Sequence, residues 1–86
     1  MSPGTLPNNW QPCASSAIEA FRYLPGEGVL QLVFRDGRMH YDYPCDDQLF
    51  ARFRAAGSKG RFVNTVLKPH ARRLGWSRQP YRWTGW

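Results

Sequence analysis

The sequence predicts an α+β fold, in which a three-stranded antiparallel β-meander is followed by two α-helices packed on one face of the sheet. Two observations lead to this prediction. Turn residues divide the first half of the chain into short β-type segments, whereas apolar residues recur at helical spacing between positions 49 and 67. The 86 residues have a hydrophobic content of 42%, which is adequate for one small core.

The strands are predicted from β-type segments bounded by Pro and Gly. Residues 1–14 contain three prolines and predict an extended, mobile arm. Strands are expected at 17–23, 29–34 and 39–43. Between the last two, Asp36-Gly37 is typical of a two-residue type I′ hairpin turn, because both residue types tolerate positive φ.

This turn sets a register and therefore assigns the two faces of the sheet. One face is aromatic and aliphatic and consists of Leu30, Leu32, Phe34, Met39, Tyr41 and Tyr43. The other face, with Gln31, Val33, His40 and Asp42, is mostly polar, so the sheet should be buried on one side only. Core packing is favoured over base stacking for Tyr41 and Tyr43, and His40 is expected to be an ordinary surface residue.

The helices are predicted from caps and apolar stripes. Asp46 or Asp47 is a suitable N-cap for the first helix, and Gly57 ends it. Ser58 caps the second helix, and Pro69 should end or kink it. The two stripes consist of Leu49, Phe50, Phe53 and Ala56, and of Phe62, Val63, Val66 and Leu67.

Charge is strongly segregated along the chain. All six acidic residues lie in the first 47 positions, whereas nine of the twelve basic residues follow, giving formal charges of −3 and +9. Residues 48–86, which contain no acidic residue, should attract polyanions. Nucleic acid is the favoured partner, and an anionic lipid surface is the next. Ten of the twelve cations are arginine, which binds phosphate bidentately.

Several short motifs occur in one order between Ser15 and Arg72. They are Ser15-Ser16-x-Ile18, Tyr23, Phe34-x-x-Gly37, Tyr41-x-Tyr43, Leu49-Phe50 and Ala56-x-Ser58-Lys59-Gly60-Arg61-Phe62-x-Asn64. In this combination the chain resembles the KTSC domain, which occurs at the C-terminus of some lysyl-tRNA synthetases and as a small bacterial protein. It departs from the family in lacking a Val-Pro pair after the tyrosines and in having Val63 where an aromatic residue is common.

The resemblance covers Ser15 to about Arg72, and the predicted domain is 15–74, between the arm at 1–14 and a Trp/Arg-rich tail at 75–86. It implies an RNA-binding module, because the family includes tRNA synthetase appendages. The ligand would be tRNA-like or single-stranded RNA. The alternative is a protein-interaction module that uses the tail or an exposed sheet edge.

The turn at Ser58–Arg61 is the first candidate site. Free amides at a helix start, Gly60 and two cations could hold one phosphate. The alternative is a plain capped helix in which Gly60 allows close packing. The phosphate-binding residues would be Ser58, Lys59, Gly60, Arg61, Asn64, Lys68, Arg72 and Arg73.

The tail is the second candidate site, since cations between aromatic rings suit single-stranded nucleic acid. Its residues are Trp76, Arg78, Tyr81, Arg82, Trp83 and Trp86. Two alternatives compete: the indoles fold back onto the domain, or they settle at a lipid interface. Fold-back is favoured for Trp76, which lies nearest the second helix.

Other functional classes are disfavoured. The basic half has no carboxylate for proton transfer, so no enzyme activity, catalytic residue, cofactor or metal site is indicated. No apolar run is long enough to span a membrane, and the first residues do not resemble a secretory signal. Cys13 and Cys45 are expected to be reduced thiols in a cytoplasmic protein. Oligomeric state is not indicated.

Overall fold

The structure is a computed structural model that describes residues 10–76 and 81–82. It is an α+β fold in which helices cover one face of an antiparallel sheet, as predicted. The sheet follows the chain order, with strands β1 (Gln11–Pro12), β2 (Ile18–Leu24), β3 (Val29–Phe34), β4 (Met39–Pro44) and β5 (Tyr81–Arg82). The central three strands form the predicted meander. Within the described residues, the two-residue edge strands β1 and β5 raise the number of strands from three to five.

The predicted register between β3 and β4 is confirmed. Leu30 pairs with Tyr43, and Leu32 pairs with Tyr41. The predicted turn type is wrong, because positive φ occurs at Gly37 (69°) and Arg38 (51°) rather than at Asp36 and Gly37. The register survives this change since a slip of one residue would move every apolar side chain to the opposite face.

The helix-facing side of the sheet contains the main core. Phe21, Leu30 and Leu32 pack there against Phe53, which is fully buried and meets Phe21 edge-on with ring centroids 5.2 Å apart. A register shift between Ile18 and Ala20 in β2 places Ile18 in this core as well. Tyr43 is buried here, so its predicted core packing is confirmed.

The opposite face of the sheet is also covered, which the sequence reasoning did not predict. Trp10 is 3% exposed and packs on Ala20 and Val33, because β1 brings the chain back to pair with β2. His40 is 1% exposed, and its ring lies 5.4 Å from that of Trp10. The predictions of a mobile arm at this point and of a surface His40 are therefore wrong.

The first helix, α1, spans Asp47–Ala55. Asp46 is its N-cap, and its carboxylate accepts a hydrogen bond of 2.8 Å from the Leu49 amide. Leu49 and Phe53 are buried, as the apolar stripe predicted.

The second helix is one continuous helical stretch over residues 59–73. It consists of α2 (Lys59–Phe62), a π-helical segment (Val63–Leu67) and α3 (Lys68–Arg73). Ser58 is its N-cap, as predicted. Pro69 has no amide to donate to the preceding turn, but it does not end the helix. The turn directly before it is a wider π turn, which accommodates the missing hydrogen bond. There the Lys68 amide donates to the Val63 carbonyl, five residues back. In the described part of the chain, no helix has both the length and the apolar character needed to cross a membrane.

A Schellman motif ends the second helix. The Trp76 amide donates to the Ala71 carbonyl (2.9 Å) and the Gly75 amide donates to the Arg72 carbonyl (3.1 Å), while Gly75 adopts a φ of 69°. This left-handed conformation suits glycine because it has no Cβ.

We expect Gly75→Ala to lower the free energy of unfolding by about 1 kcal/mol, because alanine is strained at this φ. Urea unfolding followed by circular dichroism measures the change. Gly57→Ala is the control, since a Cβ there meets nothing within 4 Å and its φ is not positive. Equal stability of the two variants would contradict the assignment of Gly75 as the cap residue.

Candidate nucleic-acid interface

The second helix presents a basic face to solvent. Arg61, Lys68 and Arg72 are exposed, whereas Val63, Leu67 and Ala71 on the opposite side are buried. The helical period produces this division, because the apolar residues must face the sheet. Asn64 is exposed between the cations. The structure thus places three of the nine late cations along one outward surface, which is called the basic ridge below and consists of Arg61, Lys68 and Arg72.

The basic ridge is not neutralised by the early carboxylates. Among the described residues, Arg38 forms an ion pair with Glu19 (3.4 Å) and His40 Nε2 lies 2.8 Å from the Asp42 carboxylate, whereas no ion pair involves the ridge. The early cation Arg35 is engaged elsewhere and donates to the Ser15 and Cys13 carbonyls. The ridge cations are therefore available to an external anion.

Two carboxylates approach the basic side of the molecule: Asp36 lines a cleft with Lys68, and Asp46 lies at the margin. Asp46 lines a groove of about 210 Å³ between α1 and the second helix, together with Arg52, His70 and Arg73. Arg73 thus faces a mixed environment, as Lys68 does beside Asp36. Arg52 also lies over the Phe62 ring, 5.7 Å from its centroid.

The Ser58–Arg61 turn is a packing junction. The Ser58 hydroxyl accepts a hydrogen bond of 3.3 Å from the Arg61 amide. A Cβ on Gly60 would lie 3.0 Å from the Ala17 Cβ, so glycine permits close approach of the helix, as the packing alternative expected. The Lys59 ammonium donates to the carbonyls of Arg54 (3.1 Å) and Ala56 (3.2 Å) at the end of α1. Of this turn, Ser58 and Arg61 are exposed to an external ligand.

Tyr41 packs against the main core, as predicted, but unlike Tyr43 it is only half-buried. Its ring meets Phe34 edge-on at 5.0 Å and lies parallel to Tyr43 at 6.2 Å. Two adjoining clefts meet at this ring, and Lys68 of the basic ridge lines both. The sequence reasoning missed this juxtaposition, because it depends on how far the second helix extends across β4.

Trp76 folds back onto the domain, as predicted. Its indole Nε1 donates to the Asp42 carbonyl (2.7 Å), and the ring packs against the main core. Tyr81 and Arg82 form β5 opposite Met39 and His40. The other tail candidates, Arg78, Trp83 and Trp86, lie outside the described residues. The edges of β2 and β4 are thus partly paired, by β1 and β5.

Asp42 joins the two faces of the sheet. Its carboxylate lies 2.8 Å from His40 Nε2 and accepts a hydrogen bond of 3.3 Å from Gln31 Nε2, on the face covered by Trp10. Its backbone carbonyl binds Trp76 at the strand edge. The carboxylate therefore points away from the helices and from the clefts beside Tyr41.

Several groups near the core have raised pKa values. Burial raises the pKa of the Cys45 thiol to about 12, with Asp46 and Asp47 adding to the shift. Burial, followed by the neighbouring Tyr41, raises the pKa of Tyr43 to about 12. Both cysteines are buried free thiols, and a Cys45 held in its neutral form is a poor nucleophile.

A family model and a solved structure point to the same family. A family model described as the KTSC domain matches residues 14–70. A protein from Tsukamurella paurometabola is 45% identical over 62 residues, which span 72% of this chain and 92% of that protein. The crystal structure of a KTSC domain protein from Yersinia pestis has a TM-score of 0.64 at 34% identity, covering 70% of this chain and 84% of that one.

Proposed function

This chain belongs to the KTSC domain family, and on that premise we propose that it is a small non-catalytic module that binds RNA through the basic ridge. The observation that carries the proposal is the exposure of Arg61, Lys68 and Arg72 on one helix, outside the ion pairs of the described residues. Exposed cations without an ion-pair partner bind phosphates and displace the counterions that are condensed on the nucleic acid.

The chemistry of the ridge suits a phosphodiester backbone. Arginine presents several N–H donors in a planar fork, which matches the oxygens of a phosphate, and lysine adds a point charge. Contacts of this kind position a nucleic acid but do not read its sequence. The module therefore supplies affinity and orientation, with little sequence specificity from the ridge itself.

We expect affinity for single-stranded RNA to fall steeply with salt. Three phosphate contacts, by the ridge cations, give a slope of about −2 in log K against log salt, or roughly a 20-fold loss between 50 and 200 mM. Fluorescence anisotropy with a labelled 12-nucleotide RNA and with tRNA measures it.

The control is a methylphosphonate oligonucleotide of the same sequence, whose backbone carries no charge. It should bind far more weakly than the RNA and show little response to salt. A salt response that is flat for the RNA itself, or equal affinity for the neutral analogue, would overturn the proposal.

A further inference from the structure

The half-buried Tyr41 lies where an aromatic surface meets the basic ridge. On one side, a cleft of about 270 Å³ is lined by Phe34, Asp36, Met39, Tyr41 and Lys68. On the other side, a cleft of about 210 Å³ is lined by Tyr41, Asp42, Tyr43, Lys68, Ala71, Arg72 and Trp76. Tyr41 and Lys68 line both, so the two clefts adjoin at these side chains, and the two together are called the depression below.

The Tyr41 ring is held in place by its neighbours. Phe34 contacts it edge-on at 5.0 Å, and Tyr43 lies parallel to it with an interplanar angle of 4°. Tyr43 is itself buried in the core. A ring fixed in this way can receive a stacked ligand without a large loss of side-chain entropy.

Charge is distributed unevenly along the depression. Asp36 lies at one end, Lys68 lines both halves, and Arg72 lies at the other end. Asp42 does not reverse this order, because its carboxylate is bound to His40 and Gln31 on the opposite face of the sheet. An anionic phosphate is therefore favoured between Lys68 and Arg72 and disfavoured beside Asp36.

We propose that this depression binds one nucleotide of single-stranded RNA, with its base stacked on Tyr41 and its phosphate between Lys68 and Arg72. The proposal rests on the proposed function and adds a base-binding site to it. An ionised carboxylate only accepts hydrogen bonds. Asp36 should thus favour guanine, which presents N1–H and N2–H side by side on one edge.

The test compares short RNAs that differ at one position. We expect a nonamer of uridines with one central guanine to bind about tenfold more tightly than the same RNA with a central abasic site, because a stacked base is lost. Tyr41→Leu should bind both RNAs equally, whereas Tyr41→Phe should keep the difference. Asp36→Asn should reduce the preference for a central guanine over a central uridine. Circular dichroism checks that each variant is folded.

The outcomes separate this site from the proposed function. If the wild-type protein binds the guanine and abasic RNAs equally and with a steep salt response, the base site is wrong and the ridge proposal stands. If the wild-type protein binds neither RNA, both proposals fail. The comparison uses the wild-type protein, so it is decisive even if Tyr41→Leu does not fold.

Discussion

Trp10→Ala should lower the free energy of unfolding by about 3–5 kcal/mol, the cost of removing a large buried aromatic side chain. Trp10 is 3% exposed and packs on Ala20 and Val33, with the guanidinium of Arg22 lying 4.8 Å from the centre of its ring. Its removal would also uncover His40, which is 1% exposed and sits beside the indole ring. For a domain of 86 residues, such a loss is a large part of the total stability.

Urea unfolding followed by circular dichroism measures this effect. The matched control is Gln11→Ala, because Gln11 is the next residue in the chain and is exposed in the edge strand β1. The control should change stability by less than about 0.5 kcal/mol. A loss below about 1 kcal/mol for Trp10→Ala would mean that the second face of the sheet does not depend on this side chain.

The outcome at Trp10 shows what a local sequence pattern can and cannot predict. The register of Leu30 with Tyr43 and of Leu32 with Tyr41 was predictable, because a slip of one residue would turn the aromatic and aliphatic side chains away from the helices. Trp10 was not, since it stands alone in a proline-rich segment without periodicity. Its burial depends on β1 returning to β2, which is a long-range event.

The sequence predicts that Pro69 ends or kinks the second helix, and the structure has a π-helical irregularity before the proline rather than an end. The rule that proline ends a helix rests on its missing amide and on the clash of its ring with the preceding turn. The π-helical segment Val63–Leu67 removes that conflict by widening the turn before the proline. The sequence indicated the caps at Asp46 and Ser58 because each requires only neighbouring atoms, and both are confirmed.

The candidate site also contains residues whose positions were predictable from local patterns and residues whose positions were not. Helical periodicity predicted that Arg61 and Lys68 face solvent, and they do. The close approach of Gly60 to Ala17 favours the packing role of this glycine over the phosphate role. This contact is a tertiary feature that no local pattern encodes. The position of Tyr41 beside Lys68 likewise depends on the packing of the second helix against β4.

Lys68→Glu combined with Arg72→Glu should weaken RNA binding about 100-fold at 100 mM salt. The double variant removes two phosphate contacts and places repulsive charges at the centre of the basic ridge. The slope of log K against log salt should also become shallower by about 1.4, because two fewer counterions are released from a single strand. Anisotropy titrations at several salt concentrations measure both quantities.

The matched control is Arg52→Glu combined with Arg54→Glu, which changes the formal charge by the same amount but lies in α1, outside the ridge. If binding depends on a located interface, the control should lose no more than about threefold, since distant surface charges are screened. If both double variants weaken binding equally, RNA responds to the net charge of +6 rather than to a defined surface. The difference between the two variants, rather than the loss in either one, therefore decides whether the second helix is the binding element.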